Sequence, residues 1–122
     1  MANEIRITLS MAVNNGALRE TISEQLALDQ ASAQGPTPGF VVVGTTAEQI
    51  SFGDVATPGY AYLKNLDTVN YVQIGVVVSA VFYPLMRLNA GEAAIVPWDS
   101  GAVVYAKANA APVPMVIKTF AR

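Results

Sequence analysis

The sequence predicts an all-β chain, a sandwich or barrel of eight to ten short strands, and two observations carry that prediction. The first is a period of two that begins almost at residue one. Ile5, Ile7, Leu9, Met11 and Val13 hold the odd positions, and Glu4, Arg6, Thr8, Ser10 and Ala12 the even ones. Only a strand with one buried and one wet face uses such alternation. The second is a series of turn signals that cuts the rest of the chain into short, mostly apolar runs at intervals typical of β-sandwiches and barrels.

Each element follows in order. Asn14-Asn15-Gly16 closes the first strand, because Asn and Gly tolerate positive φ. Leu18 to Asp29 fits two readings: Leu18, Ile22 and Leu26 make a helical stripe, and with Leu28 they also share one strand parity. The preceding turn favours a strand. Ala31 to Gly39, with Gly35-Pro36-Thr37-Pro38-Gly39 inside it, reads as a loop. Phe40–Val43 and Gln49–Phe52 are short strand candidates. Tyr60–Leu66 and Asn70–Val78, separated by Asp67-Thr68, read as a hairpin. Val76 to Tyr83 is apolar on both parities, so it is either a central strand or one whose outer face meets a partner. Pro84 places a bulge or a sheet edge nearby. Asn89-Ala90-Gly91-Glu92 is a turn with Gly at the left-handed position. Ala93–Trp98, Ala102–Ala108 and a last strand from Val113 through Ile117 complete the chain.

Composition narrows the function classes. The 122 residues suit one domain with a real core. Hydrophobic residues make up 52% and charged residues only 13%, about half the usual charged share. A chain this apolar is expected to bury surface against other subunits. The net charge of −2 is scattered, with no basic stripe for a phosphate backbone, so no nucleic-acid partner is expected. No signal peptide pattern is visible, and the longest apolar run, Gly75 to Leu85, is too short to span a bilayer, so no membrane partner is expected either.

The chain has no histidine and no cysteine. Metal and haem sites therefore lose their commonest ligands, and a serine nucleophile loses its usual base. The carboxylates are not clustered at calcium-loop spacing. The expectation is no enzyme activity, no catalytic residue, no metal and no cofactor. A glycosidase built from two carboxylates alone stays open as an alternative. The residues with contact chemistry are Tyr60, Tyr62, Tyr83, Met86 and Trp98. The tyrosines, with Tyr71 and Tyr105, form either a binding platform or ordinary strand residues with wet hydroxyls. Trp98, between Pro97 and Asp99, is either a lid on the core or an interface anchor.

Several segments resemble one known family. They are Gly44-Thr45-Thr46-Ala47-Glu48, the run from Gly53 to Ala61, Lys64-Asn65-Leu66-Asp67, Asn70 to Gly75, Leu88-Asn89-Ala90-Gly91-Glu92 and Tyr105 to Asn109. Together the resemblance spans about two-thirds of the chain and is similar in order and spacing to small virion structural proteins of tailed bacteriophages. It implies a single-domain antiparallel β-sandwich, jelly-roll-like, over residues 1–122. It implies a capsid decoration or cement protein, acting as a homo-oligomer (a trimer among the candidates) with the major capsid protein or other virion proteins as partners. The implied location is the virion, after synthesis in the host bacterial cytoplasm. A tail or fibre module binding a glycan or receptor, and a self-assembling tube or filament subunit, are the alternatives. Family members end in an acidic strand, whereas this chain ends in the basic Val116-Ile117-Lys118-Thr119-Phe120-Ala121-Arg122.

Overall fold

A computed structural model describes residues 3–122. Among these residues there are strands and turns but no helix, so no helix is long and apolar enough to cross a membrane. The chain falls into two compact units, one ending at Ser32 and the other running from Ala33 to Arg122.

The first unit is a two-stranded arm. Strands β1 (Ile5–Asn15) and β2 (Leu18–Leu28) pair antiparallel without a break, from Ile5 opposite Leu28 to Asn15 opposite Leu18. Gly16 opens the two-residue loop at φ 59°, the position where a type II′ hairpin turn needs positive φ. Leu18–Asp29 is thus a strand through Leu28, and its helical alternative falls away. At the base, the Asn3 amide donates to Asp29 Oδ1 at 2.8 Å and the Gln30 amide donates to Glu4 Oε2 at 3.2 Å.

The second unit holds eight strands in two four-stranded antiparallel sheets. They are β3 (Thr37–Val43), β4 (Glu48–Gln49), β5 (Pro58–Asn65), β6 (Val72–Val78), β7 (Val81–Leu88), β8 (Ala93–Pro97), β9 (Tyr105–Ala108) and β10 (Val113–Ala121). One sheet has the order β3-β10-β5-β8, the other β4-β9-β6-β7. The pairs nest: β6 with β7, β5 with β8, β4 with β9, β3 with β10. This unit is one long hairpin doubled at β6–β7 and rolled up, which is the jelly roll. Alternation then sorts the side chains. On β5, Ala61, Leu63 and Asn65 are buried while Tyr60, Tyr62 and Lys64 are only half-buried. On β10, Val113, Met115, Ile117, Thr119 and Ala121 are buried, with the even positions facing out. Leu63, Met115, Ile117, Val72, Ile74 and Leu88 supply much of the core.

Four expectations change at this level. The segments around Tyr60–Leu66 and Asn70–Val78 are not a hairpin, since β5 and β6 lie in different sheets. Asn65 and Asp67 explain the switch. The fully buried Asn65 side chain donates from Nδ2 to the Asn70 and Leu88 carbonyls, each at 3.0 Å, and accepts the Asp67 amide at 2.8 Å. Asp67 Oδ2 in turn accepts the amides of Val69 (3.1 Å) and Asn70 (2.6 Å). Polar side chains thus satisfy the backbone of a connection that leaves its sheet. The Asn70 amide bond, followed by that of Val69, holds the Asp67 carboxyl below its ordinary value.

Val76 to Tyr83 is not one central strand. The chain reverses at Ser79-Ala80, whose φ values of 51° and 64° are those of a type I′ turn made without glycine. The expected loop over Ala31–Gly39 is too long, because β3 already begins at Thr37. An edge strand accommodates Pro38, which has no amide to contribute to a ladder. The segment Gln49–Phe52 is strand only at its start: β4 ends at Gln49, and beyond it the Ile50 amide still bonds the Val104 carbonyl at 2.8 Å.

Two sequence signals agree with the structure closely. β7 is an edge strand, and its register against β6 shifts between Ile74 and Gly75, opposite Met86 and Pro84. A Cβ on Gly75 would lie 2.1 Å from the Tyr83 carbonyl oxygen, so the bulge requires glycine. Gly91, at φ 79°, takes the third position of the Asn89–Glu92 turn, where the Glu92 amide bonds the Asn89 carbonyl at 3.0 Å.

Candidate functional site

The five residues with contact chemistry do not converge on one spot. Tyr60 and Tyr62 lie on β5 and face outward from the β3-β10-β5-β8 sheet. Met86 and Trp98 line a different feature, an apolar cavity of about 240 Å³ shared with Ile74, Val76, Leu85 and Val104. Tyr83 stands exposed on edge strand β7.

Trp98 follows β8 and packs against the core. Its indole tilts against Phe52 with ring centroids 6.3 Å apart, and Nε1 donates to the buried Thr119 hydroxyl at 3.3 Å. The Trp98 amide bonds the Gly59 carbonyl at 2.7 Å. These contacts fix the ring as one wall of the cavity. Met86, opposite Ile74 beside the bulge, supplies another wall with an adaptable thioether. The remaining tyrosines serve locally. Arg87 lays its guanidinium carbon 3.7 Å from the centre of the Tyr71 ring, a cation–π contact, and Tyr105 is half-buried on β9.

The outer face of the β3-β10-β5-β8 sheet presents exposed apolar side chains on regular strands. Register places Phe40, Val116, Lys64 and Ala93 in one row across the sheet, and Pro38, Lys118, Tyr62 and Ile95 in the next. Phe40 is 63% exposed and Val42 53% exposed, both on edge strand β3. Three cations border this face: Lys64, Lys118 and Arg122, the last with its guanidinium carbon 5.8 Å from the Tyr60 ring centre. None of the four strands carries a carboxylate. On the opposite sheet the row Lys107, Gln73, Arg87 is polar, while Val78, Val81, Tyr83 and Leu85 are exposed on β6 and β7.

Phe40, Val42 and Ile95 were not singled out from sequence. The signal existed in Phe40-Val41-Val42-Val43, a run apolar on both parities whose second face needs something to cover it.

The described residues contain no group of three or more carboxylates that could hold a metal ion. Every buried side-chain nitrogen and oxygen among them has a hydrogen-bond partner.

The chain matches no family model, no curated protein and no solved structure. The reading of its function rests on its own residues and on the resemblance described above.

Proposed function

We propose that this chain is a non-enzymatic virion structural protein of a tailed bacteriophage, a capsid decoration or cement protein that binds the capsid lattice as a homo-oligomer. The observation that carries the reading is exposed apolar surface on hydrogen-bonded strands: Phe40, Val42 and Ile95 on one sheet of the jelly roll, and Leu9, Met11, Leu18 and Ile22 on the arm. Apolar surface on regular strands is ordered before binding, so association costs little further conformational entropy. Repeated contacts over a lattice raise avidity without any single strong interface. Such a protein stabilises the assembled shell by mass action, because it binds that state and not its dissociated subunits. The resemblance supplies the particle, and the scarcity of charge agrees with a protein that lives against neighbours.

Purified protein mixed with capsids assembled without it, from the phage whose genome carries the gene, tests the reading. Saturable binding with a raised capsid disruption temperature is the expected result. Capsids that bind none, or that bind it without limit and gain no stability, would overturn it.

A further inference from the structure

Strands β1 and β2 place most of their large apolar side chains on one face. One face of the arm carries Ile5, Ile7, Leu9, Met11 and Val13 from β1, with Leu18, Ile22, Leu26 and Leu28 from β2. The other face is polar: Arg6, Thr8, Ser10 and Asn14 against Arg19, Thr21, Ser23 and Gln25. Toward the tip the apolar face is bare, with Met11 54% and Leu18 59% exposed. A two-stranded hairpin is marginal in water, and one with an exposed apolar stripe needs a third surface.

Charge selects that surface. Both charges on the apolar face are acids, Glu20 and Glu24, while the arm's cations Arg6 and Arg19 sit on the opposite face. Two arms stacked apolar face to apolar face would enclose four carboxylates and no cation in one interface. The outer face of the β3-β10-β5-β8 sheet has the complementary character, with exposed Phe40, Val42 and Ile95, the cations Lys64, Lys118 and Arg122, and no carboxylate on its strands; the acid that lines a pocket with Arg122, Asp99, lies past the end of β8. Glu20 and Glu24 share one face of β2 four residues apart, and Lys118 and Arg122 lie four residues apart at the end of β10.

We infer that the arm of one copy packs its apolar face, as a third layer, on the outer face of the β3-β10-β5-β8 sheet of a second copy. Its strands run nearly aligned with β10, as stacked sheets do, and set Glu20 and Glu24 against Lys118 and Arg122. Each copy donates one arm and offers one sheet face. The contact is therefore heterologous and generates a closed ring or an open chain of subunits. The inference rests on the self-association in the reading above and adds the contact that makes it.

Charge-reversed full-length chains test it by sedimentation over a concentration series. One variant carries Glu20→Lys with Glu24→Lys, the other Lys118→Glu with Arg122→Glu. All four positions are exposed, so folding is retained, and far-UV circular dichroism checks this. The wild-type chain should associate with rising concentration. Each double reversal should weaken association about tenfold or more, and an equimolar mixture of the two variants should recover it, since the reversed arm of one meets the reversed sheet of the other. Association indifferent to both reversals would overturn the arm-to-sheet contact and leave the homo-oligomer standing. A mixture that fails to recover association would also overturn it. A wild-type chain monomeric at every concentration would overturn it too, and capsid binding then decides the function separately.

Discussion

The arm and the jelly roll obey the same period of two and end in opposite environments. On β5 the buried phase is closed off entirely, with Leu63 at 0% exposure, because a second sheet lies against it. On β1 the same phase leaves Leu9 and Met11 exposed, because β1 and β2 form a sheet of their own. The alternation specifies which side chains share a face. What covers that face is decided by topology in one region and not by the strands' own sheet in the other.

Paired truncations probe this contrast most strongly. Leu63→Ala removes a fully buried side chain from a packed core and should cost about 3 kcal/mol in chemical denaturation of the sandwich. Met11→Ser, at an equivalent strand phase in the arm, should cost less than about 0.5 kcal/mol in the dissociated protein and act on self-association. Equal losses of folding stability from the two would erase the distinction between the regions.

Asn65 tests whether the jelly roll depends on its polar crossing. Asn65→Ala deletes three hydrogen bonds, the one to the Leu88 carbonyl buried and the other two part-buried, and strands the Asn70 and Leu88 carbonyls. It should cost about 2–3 kcal/mol, lowering Tm by about 10 °C, with no weakening of arm-mediated association.

These two predictions also show what was legible from sequence. The all-β class, the arm strand over Leu18–Leu28, the Gly91 turn and the irregularity at Pro84 were readable, because each depends on a local preference of a few residues. The position of β5 and β6 in different sheets was not, since Tyr60–Leu66 and Asn70–Val78 look like any pair of strands around a polar turn. The distinguishing contact, Asn65 to the Leu88 carbonyl, joins residues 23 apart. Ser79-Ala80 carries no turn signal in sequence, because neither residue normally takes positive φ. For the surface, Tyr60 and Tyr62 could be picked by chemistry, and they lie on the face that Phe40, Val42 and Ile95 share. Met86 and Trp98 lie together at the cavity instead, a neighbourhood set by the β6–β7 bulge and the end of β8.

The Ser79-Ala80 turn gives a smaller effect of opposite sign. Ala80 holds φ 64° against its preference, so Ala80→Gly should stabilise the sandwich by about 1 kcal/mol, seen as a Tm rise of a few degrees. Smallest is the pH effect of Asp67. Its carboxyl is lowered by the Asn70 and Val69 amides, so its contribution is present above the ordinary Asp value and fades as pH falls through the lowered one. Asp67→Asn keeps an acceptor and removes the titration. Thermal melts between pH 6 and pH 2, a range chosen to bracket about the ordinary Asp value, should show a slightly shallower acid decline in that variant than in the wild type.

Amide hydrogen exchange on the full-length chain, repeated from dilute to concentrated solution, tests the central difference most directly. The account predicts slow exchange at the amides of β5, β6, β9 and β10 at every concentration, and exchange in β1 and β2 that slows as the protein associates. Protection of β1 and β2 that is as strong in dilute solution as in concentrated, or that never develops at all, would contradict it.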